Sequence, residues 1–136
     1  MKKGIVLLGI LLLMTGCGKE KVTCTYSDNS LAYKYERTLD ITFEKENIFS
    51  VKSTIIETHP DDESANKAYI SYQNLYNNYN ENNVISEFKK NKLKITAIYN
   101  IDLRDIETKK IDFEFDFTQN KSAFINTLKG MGYTCK

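Results

Sequence analysis

YERTLDITFEKENIFSVKSTIIET, residues 35–58, decides how this chain folds. Tyr35, Leu39, Ile41 and Phe43 fall on one side of an extended backbone, with Glu36, Thr38, Asp40 and Thr42 on the other. Side chains of a strand point alternately to its two faces, so a period of two marks a strand with one dry face and one wet one. Lys45, Glu46 and Asn47 supply a turn, and beyond it Phe49, Val51, Ser53 and Ile55 alternate again toward Glu57. Two such runs joined by a short polar turn predict a β-hairpin. Arg37 interrupts the apolar side of the first run, which a position near a strand end tolerates.

Outward from the hairpin, Val22 to Tyr26 is rich in β-branched and aromatic residues and predicts a first short strand. Ser27, Asp28, Asn29 and Ser30 after it are turn residues. Pro60 stops the second hairpin strand and opens a helix, where its fixed φ and missing N–H are best tolerated. Asp61, Asp62 and Glu63 then place negative charge where it complements the helix dipole. Ala65, Ala68, Tyr69, Tyr72, Leu75, Tyr76 and Tyr79 recur at spacings of three and four, one stripe along a helix. A run of asparagines ends it, and Val84, Ile85 and Phe88 predict a short second helical piece.

Leu93, Ile95, Ala97, Tyr99 and Ile101 predict another strand. Residues 102–110 form a polar connection with no assigned structure. Ile111, Phe113, Phe115 and Phe117 alternate with acids and predict a further strand. Asn120 then caps a helix carrying Phe124, Ile125 and Leu128, with stop signals at Gly130 and Gly132. The order ββ(β)α then ββα(β) allows a tandem ββα arrangement. The expected class is α+β: an antiparallel sheet, wet on one side, with one long and one short helix packed on the other.

The chain opens with Lys2 and Lys3, an apolar run from Ile5 to Met14, and Thr15, Gly16 and Cys17. As a helix that run is about 15 Å long, against a hydrocarbon core of about 30 Å, so it has the length of a signal peptide core rather than of a membrane span. Met14-Thr15-Gly16-Cys17 resembles the lipobox of bacterial lipoprotein precursors, with Met14 where leucine is usual. The resemblance implies a signal peptide over residues 1–16, a diacylglyceryl thioether on Cys17 and localisation on the extracytoplasmic face of the cell membrane. Residues 17–21 are then the lipidated cysteine and a short tether, and 22–136 a single domain. Cys24 and Cys135 remain, an even pair in an oxidising compartment, and are expected to form a disulfide.

Nineteen basic and 18 acidic residues give a formal charge of +1, and loss of Lys2 and Lys3 brings it to −1. That balance draws neither nucleic acid nor an anionic surface. Seventeen lysines against two arginines, with 13 asparagines, suit an AT-rich bacterial genome.

No cofactor, metal or catalytic residue is assigned. His59, Asp61, Asp62 and Glu63 are the one ligand-type cluster, yet consecutive helical positions diverge by about 100°, and the helix dipole already explains the acids. One histidine beside a proline, with no glycine-framed serine, supports no nucleophilic triad. Two readings stay open for Tyr69, Tyr72, Tyr76 and Tyr79: a packing face or an exposed interaction face.

In size, lipobox and element order the chain resembles small uncharacterised lipoproteins of low-GC bacteria and, more distantly, the YehR-like lipoproteins, the latter on architecture alone. The expected function is a non-catalytic, membrane-anchored binding or accessory module whose partner is an envelope protein or a small molecule. The alternative is a carboxylate-dependent envelope hydrolase. Cys17→Ala should leave an uncut or released form without lipid, since two acyl chains suffice for stable anchoring. Intact mass showing an unmodified Cys17 in the membrane-derived protein would remove the lipoprotein reading.

Overall fold

The hairpin read from residues 35–58 lies at the middle of the sheet. The computed structural model describes residues 18–105 and 113–136. Its elements are β1 (Lys19–Asp28), β2 (Lys34–Glu44), β3 (Asn47–Thr58), α1 (Asp62–Glu81), β4 (Ile85–Asn91), β5 (Lys94–Asp102), α2 (Lys121–Gly130) and β6 (Thr134–Cys135). The sheet order is β4-β5-β3-β2-β1-β6 and every neighbouring pair is antiparallel. This is the expected α+β architecture. No helix among the described residues is long and apolar enough to cross a membrane.

Register across the central strands explains the single dry face. Leu39 pairs with Ser53 and Ser53 with Tyr99; Ile41 pairs with Val51 and Val51 with Ile101. All six are buried, whereas Thr38, Asp40, Thr42, Lys52, Thr54 and Asn100 on the opposite face are exposed or half-buried. Both helices use the buried side. The cap residues are those their chemistry suggests: Asp61 accepts the Ser64 N–H at 2.8 Å, and Asn120 that of Ala123 at 2.9 Å. Gly132, at φ 96°, turns the chain out of α2 in a conformation that favours glycine.

Four local expectations change. β1 starts at Lys19, ahead of Val22, so Lys19 to Lys21 are already strand. Residues 85–91 form a strand instead of a helical piece. The cause is tertiary: β5 offers a free edge along its length, and β4 pairs with it from Ile85 to Asn91, while Phe88 packs on Tyr69 and Tyr76. The register slips between Thr42 and Phe43, a bulge that brings Ile48 opposite Phe43 and into the core. Phe49 leaves the phase of Val51 and lies between Lys19, 3.8 Å from its ring centroid, and Arg104, 4.2 Å away.

The fourth change concerns the phenylalanine run. Ile111 and Asp112 lie outside the described residues, and Phe113 to Phe117 are not strand. The backbone turns at Asp116, whose carboxylate accepts from Thr118 N and Oγ1 at 2.9 and 2.6 Å. The three rings still go inward. Phe113 meets Tyr79 and Tyr99, Phe115 meets Phe124 and Tyr133, and Phe117 touches Phe113, Phe115 and Phe124. They close the dry face between the two helices and join a cluster around Leu39, Ile41, Phe124 and Leu128 to one around Ile55, Tyr76, Tyr79 and Tyr99.

Arg37 lies in this core at 3% exposure. Its guanidinium donates to Ser53 Oγ at 3.0 Å and Tyr99 OH at 2.8 Å, pairs with Glu114 at 2.5 Å, and sits 4.8 Å from the centroid of the Phe115 ring. A buried guanidinium is tolerable because its donors are answered.

At the other end of the chain, Cys24 and Cys135 are opposite each other in the β1–β6 pair, Cα atoms 4.0 Å apart, and form a disulfide closing 111 residues. Thr23 and Lys136 exchange both backbone hydrogen bonds at 2.9 Å beside it. A two-residue strand cannot hold itself, so the covalent bond fixes the edge. Replacing both cysteines with serine should cost about 2–5 kcal/mol of stability. Denaturant melts with an unchanged midpoint would contradict this.

Candidate functional site

The phase of β3 carries Val51, Ser53 and Ile55 into the core and continues two residues at a time to Glu57 and His59. Both polar groups are therefore driven under α1, at 6% and 5% exposure. The His59 N–H bonds the Leu93 carbonyl at 2.9 Å, which ties the end of β3 to the β4–β5 turn. Pro60 and the cap residue Asp61 then bend the chain into α1.

The buried pair is hydrogen-bonded on both oxygens of the carboxylate. Glu57 Oε2 is 2.8 Å from His59 Nε2, and Glu57 Oε1 accepts from the Tyr72 hydroxyl at 2.7 Å. Tyr33, on the segment that leads into β2, stacks on the imidazole with centroids 4.6 Å apart. Burial, and then the bond to Glu57, hold the Tyr72 phenol well above its ordinary range, so it stays a donor. His59 Nδ1 is buried with no hydrogen-bond partner.

A groove of about 540 Å³ opens above this pair, between α1 and the Ala32–Tyr33 segment. Ala68, Tyr72 and Leu75 supply apolar walls, and Ser64, Lys67 and Ser71 lie along the α1 side. Its volume is in the range of small-ligand sites. Lys67 is paired with Glu63 at 2.7 Å on the exposed helix surface. Leu75, expected on the packing face, is 43% exposed at this groove.

The residues singled out from the sequence are distributed as follows. Cys17 lies outside the described residues. Of the tyrosine stripe, Tyr76 and Tyr79 are buried at 1% and 6%, while Tyr69 and Tyr72 are half-buried, Tyr69 against Phe88 and Tyr72 at the groove. The stripe thus packs on the sheet for most of its length. The acidic turn disperses: Asp61 caps the helix, Asp62 faces Lys90 at 3.5 Å and Glu63 pairs with Lys67. Among the described residues no three His, Cys, Asp or Glu side chains converge on a cation position.

Glu57 and Tyr33 join His59 in this arrangement although the sequence reading singles out neither, and the acids beside His59 in sequence take no part in it. The signal was present in the phase: Glu57 occupies a core-face position of a strand, where a carboxylate needs partners.

No protein-family model matches the chain, and no curated protein matches it. Among solved structures, its fold is similar to that of the E. coli YehR protein determined by NMR, with a TM-score of 0.62 and 12% identity over 87% of this chain and 92% of that one. At that identity the likeness is one of fold.

The buried tyrosines make stability depend on alkaline pH. Burial pushes Tyr35 up to about 12 and holds Tyr76, Tyr79, Tyr99 and Tyr133 above the ordinary value of 10.0. The folded state thus keeps protons that the unfolded chain releases near pH 10. The stabilisation is complete below that pH and falls as pH rises toward about 12. Ultraviolet titration should show phenolate appearing together with loss of circular dichroism. Ionisation of all nine tyrosines near pH 10 with the fold intact would contradict the burial.

Proposed function

We propose that this protein is a lipoprotein held by Cys17 on the extracytoplasmic face of the cell membrane, and that its domain is a non-catalytic binding module whose ligand occupies the α1 groove. The anchoring half of the reading is supported by the Lys2–Lys3, apolar run and Cys17 sequence. The binding half is carried by one observation: the groove stands over a buried Glu57–His59 pair that is engaged internally and has no nucleophile on it. An acyl-transfer site needs a base hydrogen-bonded to its nucleophile, and His59 Nδ1, the ring nitrogen that Glu57 does not use, has no such partner. The carboxylate-hydrolase alternative needs two carboxylates flanking the scissile bond, and Glu57 is the one acid among the residues that line the groove.

The test is native mass spectrometry of the full-length protein extracted from its own membranes in detergent. A small-molecule adduct released on denaturation is expected. Ala68→Trp, which puts a large ring into the groove from α1, should abolish the adduct while the melting temperature is retained. An adduct of equal abundance on the variant, or none on the wild type, would overturn the groove as the binding site.

A further inference from the structure

The groove asks for a hydrogen-bond donor. A carboxylate only accepts. Each Glu57 oxygen has one partner and retains a lone pair. Glu57 is the carboxylate in the lining, and the cation there, Lys67, is already answered by Glu63. Tyr33 and Tyr72 line the same cavity, and aromatic rings attract a cation held within about 6 Å of their centroids. The remaining walls, Ala32, Ala68 and Leu75, are apolar.

β1 begins at Lys19, beside the β2–β3 turn, and its ten residues span about 33 Å to the end where Tyr33, Glu57 and His59 lie. The groove therefore lies at the end of the sheet opposite the start of β1, where the chain would leave the proposed anchor.

We propose that the groove takes an organic ammonium ion with an apolar body, an N–H group directed to Glu57 and its body against the α1 wall. This rests on the binding reading above and names the ligand class for the same site. The probes are phenethylammonium, phenylpropionate and phenethyl alcohol, similar in size and differing in the charge of the head group. Each is titrated calorimetrically into the full-length lipidated protein in nanodiscs. Phenethylammonium should bind at least about tenfold tighter than the other two, and Glu57→Gln, with its melting temperature unchanged, should lose about tenfold or more of that affinity. Lys67→Met should not weaken it. If the carboxylate or the alcohol binds as tightly as the ammonium, the ligand class is wrong and the groove stands as a binding site. If none of the three binds, the ligand class is wrong, and the adduct test on the wild-type protein and Ala68→Trp decides the groove itself. Should Glu57→Gln unfold, the ranking of the three probes on the wild-type protein decides alone.

Discussion

The guanidinium of Arg37 is the constraint around which the covered face of the sheet is arranged. A permanent charge in an aromatic layer is costly unless its donors are met, and here they are met by a neighbouring strand, by the next strand but one and by the 113–117 segment. Ser53 is small enough to leave room for it, and Tyr99 turns its hydroxyl toward it instead of leaving a buried orphan. Glu114 brings Phe113 and Phe115 down on either side, so the closure between the helices is positioned by charge and filled by rings. The two core clusters meet where this residue lies. A hydrocarbon at Arg37 would fill the space but would not specify which segment covers it.

The sheet was legible because alternation depends on the strand itself: Leu39, Ile41 and Val51 face inward as their spacing requires, and the two cap residues act as their short side chains suggest. What was not legible depends on partners far away in sequence. The 85–91 segment becomes a strand because β5 has an open edge to pair with, a fact absent from its own few apolar residues. The period of two in Phe113, Phe115 and Phe117 is also real, but it records three rings entering a gap and not a backbone ladder. The bulge at Thr42 cannot be read from a hairpin whose turn length is ambiguous by one residue.

For the site, the informative residues were those that broke the hydrophobic pattern without breaking its phase. Arg37 and Glu57 are both charged residues on the dry side of the central hairpin. Reading Arg37 as an end-of-strand concession loses the distinction that the tertiary structure draws between it and Glu57. Arg37 is closed over by the aromatic segment, whereas Glu57 and His59 lie beneath an open groove. One is a buried charge used to select a fold, the other a buried pair left within reach of a solute.

The brevity of β6 has a consequence for molecules crowded on one surface. It covers β1 only near Cys24 and Thr25, so the first residues of β1, nearest the proposed anchor, keep an outer row of backbone donors and acceptors with no strand beside them among the described residues. Such a row invites the same strand of a neighbouring chain, and confinement to a plane would raise the rate of those encounters. The residues there are Lys19, Glu20 and Lys21, and the opposite rim of the sheet carries Lys89 and Lys90. Stacking two copies edge to edge would require these ammonium groups to surrender water for partners that the pairing does not guarantee. The charged borders therefore oppose edge-to-edge pairing of two copies.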